Sequence, residues 1–130
     1  MLKSALTIAV FAIIGTSSAF ADECDTGNLN TFDAVYCQNK VFVAEDARLN
    51  SLYGDLRGQL SSSDQNTLKD AQLNWIDNRN NECVGQSDEW GDVVYANCAV
   101  KVTRERDDFL AARITECSTV GCASSKLSDY

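Results

Sequence analysis

The chain has 130 residues, with 19 Asp and Glu against 11 Lys and Arg, a formal net charge of −8, six cysteines, and neither histidine nor proline. That sign disfavours nucleic acid and anionic membrane as partners, since both need clustered Lys and Arg. The length suits one domain with a modest core rather than two.

Lys3 supplies a positive start, Leu6 to Ile14 form an apolar run broken only by Thr7, and small residues lead to Ala19-Phe20-Ala21 before Asp22-Glu23. This is the layout of a cleavable export signal over residues 1–21. The run is too short to span a bilayer, and no later segment approaches spanning length, so no membrane insertion is expected. Cys24 stands two residues beyond the expected cleavage point, which argues against lipidation. The mature chain, 22–130, then carries ten basic and 19 acidic residues, a net −9. It is expected in the periplasm or outside the cell. Such a surface steers towards a basic partner, although acidity also serves solubility alone.

All six cysteines, Cys24, Cys37, Cys83, Cys98, Cys117 and Cys122, fall in the mature part. An even count in a small exported domain reads as three disulfides. Zinc would want close Cys-x-x-Cys or Cys/His spacing, and the chain offers neither. No metal site and no cofactor are expected.

Asn30-Thr31 can cap a first helix from Phe32. Val35, Phe42, Leu49 and Leu56 recur every seven residues, flanked by Val43, Leu52, Tyr53 and Leu60, as the buried stripe of an amphipathic helix. A bend or break is expected near Gln38-Asn39, and Gly54 and Gly58 weaken the last turns. Ser61-Ser62-Ser63-Asp64 ends this helix and caps a second, expected over Asp64–Glu82, with Leu68, Ala71, Gln72, Trp75, Ile76 and Arg79 on one face. A loop at Gly85-Gln86-Ser87-Asp88 precedes a third helix, expected to start between Asp88 and Gly91 and to reach Ile114 or Cys117. Its stripe is Val94, Cys98, Val102, Phe109 and Ala112, with Leu110 and Ile114 beside it. No strand-like alternation of useful length is present. The expected fold is all-α: a small, disulfide-stapled antiparallel bundle of three main helices over 22–117, then a flexible tail, 118–130, carrying a local cysteine pair.

Sequence proximity suggests Cys24 with Cys37, Cys83 with Cys98 and Cys117 with Cys122, although six cysteines allow 15 connectivities. A bond across the 15-residue span from Cys83 would contribute roughly 3 kcal/mol on the chain-entropy model.

Three motifs stand out. They are Ala44-x-Asp46-x-x-Leu49-Asn50-x-x-Tyr53-x-x-Leu56, then Ala71-Gln72-x-x-Trp75-Ile76-x-x-Arg79-x-x-x-Cys83, then Cys98-x-x-x-x-Thr103-x-x-Arg106-x-x-x-Leu110. Together they resemble the family of small exported domains named after the lysozyme inhibitor LprI, and Cys24 and Cys37 resemble its N-terminal cysteines. The likeness covers Cys24 to Leu110, and the middle motif is the most specific. It implies a helical inhibitor of lysozyme or a related cell-wall hydrolase, with Asp46, Leu49, Asn50, Tyr53, Gln72, Trp75, Arg79, Thr103 and Arg106 as family positions. The first motif carries an extra residue before the aspartate. The loop Gly85-Gln86-Ser87-Asp88-Glu89-Trp90 departs from the family's Gly-Gly-Ser type of turn, and Cys117 and Cys122 lie outside its usual pattern.

From the residues themselves, Leu49, Tyr53, Leu56 and Trp75 read as core. Gln72 and Arg79 fall on the Trp75 face, where they can satisfy buried carbonyls, pair with Asp46 or contact a ligand. Thr103 and Arg106 form a second polar pair, and an Arg placed inside a bundle needs a carboxylate partner.

No catalytic constellation emerges, and the protein is not expected to be an enzyme. Histidine is absent, the cysteines are expected to be oxidised, and Ser61–Ser63 have no base in range. Neither Glu45-Asp46 nor Asp107-Asp108 forms an acid/base pair by itself, because adjacent helical residues do not face one another. Asp88, Glu89 and Asp92 could bind calcium weakly, but not at EF-hand spacing. With Trp90 they make the candidate contact surface for a basic protein such as lysozyme, provided that Trp90 is exposed. The other reading is a structural or stress-related envelope protein that binds a different periplasmic component.

Overall fold

The computed structural model describes Cys24 and residues 27–129, and the expected export signal, 1–21, lies outside them. Asn30 caps the first helix, α1 (Thr31–Gln59), its side chain accepting from the Asp33 amide at 2.9 Å. The 29 residues make a rod of about 43 Å. No break occurs at Gln38-Asn39, contrary to expectation. Neither residue removes a backbone donor, and Gln38 and Val41 share a cleft with Asn97 and Val100 from the third helix. Gly54 and Gly58 stay inside the last turns, where each costs about 1 kcal/mol. Burial of Leu56 and Leu60 on either side offsets that.

Ser61 accepts from the Asp64 amide at 3.2 Å and caps α2 (Ser62–Cys83), which runs back along α1. The expected loop is instead a β-hairpin, with β1 (Val84–Ser87) antiparallel to β2 (Gly91–Val94). Four residues a strand are too few for alternation to show in the sequence. The hairpin delays α3, which spans Ala96–Thr119 rather than starting before Gly91.

The third helix lies parallel to the first. Glu45 meets Arg104, Arg48 meets Asp107 and Gln59 meets Ser118, so position i on α1 faces i + 59 on α3. By that register Ala96 faces Cys37, and the first six residues of α1 project beyond the start of α3. Val35, in that projecting part, is exposed, and along α3 itself Val43 is exposed and Phe42 only half-buried, so the expected stripe fails over its first half, whereas Leu49 and Leu56 are fully covered. Val94 and Ala112, expected on the buried stripe of α3, are exposed as well, Val94 because it belongs to the hairpin.

Leu49, Leu56 and Leu60 meet Leu68 and Trp75 of α2, Leu110 of α3 and Leu127 in one core. Leu127 comes from the tail, which was expected to be loose. After the turn at Gly121 (φ 98°) and a short 3-10 helix, Ser124–Lys126, the chain folds back and leaves Leu127 1% exposed. Lys126 Nζ lies 2.5 Å from Glu116 and holds that carboxyl below the usual range. Three disulfides, Cys24–Cys37, Cys83–Cys98 and Cys117–Cys122, staple the ends of the bundle. Among the described residues, no helix is long and apolar enough to cross a membrane.

Candidate functional site

The hairpin presents a turn built from its own short-range chemistry. Ser87 Oγ accepts from the amides of Glu89 (3.4 Å) and Trp90 (3.3 Å), closing the three-residue loop Asp88-Glu89-Trp90. Gly91 takes φ 71°, the left-handed conformation that ends such loops. The Gln86 amide donates to the carboxylate of Asp92, its cross-strand partner. At the base, Cys83 and Cys98 are bridged and the Tyr95 amide donates to the Cys83 carbonyl at 2.9 Å. Gly85 leaves room for the Tyr95 ring, since a Cβ there would stand 2.5 Å from its hydroxyl. A firmly rooted hairpin therefore holds Trp90 75% exposed, with Asp88, Glu89 and Asp92 open to solvent around it. Among the described residues, no group of three or more His, Cys, Asp or Glu converges as metal ligands.

The remaining candidate positions gather about α2. A cleft of about 410 Å³ between α1 and α2 is lined by Asp46, Leu49, Asn50 and Tyr53 on one side and Gln72, Trp75 and Arg79 on the other. The structure thus brings seven of the family positions to one place. Their pairing differs from expectation: Asp46 accepts from Asn50 (3.2 Å), whereas Arg79 donates to Asn80 and lies over the Trp75 ring at 5.2 Å. Gln72 Oε1 instead accepts from Arg106 Nε at 3.0 Å. Arg106, 2% exposed, also donates to the Asp129 carbonyl and lies 4.6 Å over Phe109. Thr103 is fully buried, and its hydroxyl has no hydrogen-bond partner among the described residues. Motif positions on α3 therefore tie α2 and the tail to the bundle and leave Thr103 and Arg106 out of reach of a large partner.

A four-residue charge cluster that neither helix shows in its own sequence forms at the α1–α3 seam. Arg104 Nε donates to Glu45 at 2.8 Å, and Arg48 stands 4.0 Å from Glu45 and 3.9 Å from Asp107. Asp107 is wholly buried, and among the described residues neither of its oxygens has a hydrogen-bond donor. Desolvation pushes its carboxyl from 3.8 up to about 7, against the pull of Arg48. As an acid it can donate to Glu45, and as an anion it is stranded. Glu45 and Asp107 are the paired carboxylates that neither sequence doublet makes by itself, but burial keeps any substrate away. Only the 59-residue offset reveals the cluster, and no sequence signal announces that offset.

Comparison with curated proteins and with solved structures returns no match. The model of one family, Lysozyme inhibitor LprI, matches residues 22–110, which span α1, α2, the hairpin and most of α3. The chain belongs to the lysozyme inhibitor LprI family.

Proposed function

We propose that the protein is a non-catalytic inhibitor of lysozyme or a related basic cell-wall hydrolase, acting in the periplasm or outside the cell after loss of residues 1–21. The observation that carries this reading is Trp90, 75% exposed at the tip of a disulfide-rooted hairpin and ringed by Asp88, Glu89 and Asp92. An exposed aromatic anchor among carboxylates is the chemistry that docks on a basic protein surface. The net charge of −9 left after loss of residues 1–21, ten basic against 19 acidic residues, adds long-range steering towards it. A non-catalytic role is supported by the lack of histidine, the pairing of every described cysteine and the burial of Asp107, the partner of Glu45.

A second reading has its own support. Leu49, Trp75, Thr103 and Arg106 are buried, so the family motifs specify the scaffold more than a target. The same scaffold would serve a structural or stress-related envelope protein with another periplasmic partner.

Turbidity of a bacterial suspension under a basic lysozyme, with and without the purified protein, separates the two. Inhibition that weakens as salt rises is expected. An undiminished lysis rate at large molar excess rejects the inhibitor reading.

A further inference from the structure

Among the described residues, most exposed large apolar side chains lie at one end of the bundle. Phe32, Val35 and Tyr36 stand on the first turns of α1, and Trp90, Val94 and Tyr95 belong to the hairpin or the residue after it. The parallel register makes these one end. The hairpin joins the end of α2 to the start of α3, and the start of α3 lies level with Cys37. We infer that the first turns of α1 and the hairpin form one composite docking surface, and that its occupant is a basic protein offering an apolar groove. This rests on the inhibitor reading above and extends it to a second contact element.

A helix end that projects past the start of its neighbouring helix normally frays. Here it is held three ways. Asn30 caps it, Cys24 is bridged to Cys37, and Lys40 lies over the Tyr36 ring at 5.4 Å. The rings of Phe32 and Tyr36 are parallel with centroids 6.4 Å apart, and Phe32 is 77% exposed. Aromatic side chains fixed in advance lose little entropy on binding, which is what a recognition element needs.

Charge selects the occupant. Asp33 borders the α1 aromatics, and Asp88, Glu89 and Asp92 border Trp90, all four exposed. Two cations on these helices are already engaged, Lys40 with Tyr36 and Lys101 with Glu105 at 3.8 Å. A second copy would set these carboxylates against their own kind, and an anionic membrane would be repelled. A cationic protein surface is attracted.

The test measures binding to a purified basic lysozyme for the wild type, Trp90→Ala, the double variant Phe32→Ser/Tyr36→Ser, and a control, Val120→Ser, exposed at the far end of α3. Circular dichroism and melting temperature verify folding of each. The double variant is expected to bind tenfold or more weakly, as Trp90→Ala does, with Val120→Ser unchanged. If Trp90→Ala weakens binding while the double variant binds like wild type, the composite surface is overturned and the hairpin reading stands. A wild type that does not bind overturns both. A dimer in sedimentation that the double variant abolishes, with lysozyme affinity unchanged, assigns the α1 face to a second copy and overturns the proposed partner.

Discussion

Arg48 of α1 reaches to within 3.9 Å of Asp107 on α3, close enough for attraction but beyond hydrogen-bond reach, and the Asp107 carboxyl behind it is wholly shielded from water. Half of the Arg48 side chain is exposed, so solvent screens its charge. The other cation at this seam, Arg104, is taken up by Glu45. Desolvation therefore prevails over attraction, and the carboxyl titrates near 7.

The pH dependence follows from that elevation. Asp107 binds its proton more tightly folded than unfolded, so its contribution is complete below about 3.8 and is lost as pH rises through about 7. Asp107→Asn keeps the shape without the charge. Thermal melts should show the variant close to wild type near pH 3.5, pulling ahead as pH rises, and several degrees more stable at pH 8. A wild type that gains as much stability as the variant between pH 5 and 8 would show that Asp107 ionises freely.

The Cys83–Cys98 bridge closes a 15-residue span and roots the hairpin. Replacing both cysteines by serine should cost roughly 2–5 kcal/mol in denaturant unfolding. Any activity that depends on the hairpin should fall further than the loss of folded protein accounts for.

Gly91 holds φ 71° with nothing within 4 Å of where a Cβ would stand, so strain rather than a clash limits substitution. Gly91→Val should cost about 1–2 kcal/mol. Because the hairpin packs little, the loss should appear mainly as faster amide exchange in β1 and β2 rather than as a collapse of the helices.

Leu127 fills the core from the far end of the chain. Leu127→Ala should cost about 2–5 kcal/mol in chemical denaturation, the range for a leucine removed from a closed core. A change below 0.5 kcal/mol would mean that the tail is not seated there in solution.

Local chemistry was readable in the sequence wherever few residues sufficed to decide it. Asn30 and Ser61 mark helix starts because each accepts from an amide three positions on, and Leu68, Ala71 and Trp75 show their buried face through helical spacing. The hairpin escaped because it is short, with Trp90 in its turn and Gly91 supplying the one special dihedral.

What the sequence by itself determined is composition and local order: a strongly acidic, histidine-free chain, three helix-forming stretches, and cysteines spaced to bridge nearby segments. The tertiary structure alone decided how the long helices meet. Periodicity says that a face is apolar, but the length of the neighbouring helix decides how much of it is covered. The same stripe therefore buries Leu49 and Leu56 and leaves Val35 in solvent. Register likewise brought Glu45 to Arg104 and stranded Asp107, because contacts between residues 59 positions apart depend on the packing of two helices and leave no trace in either one.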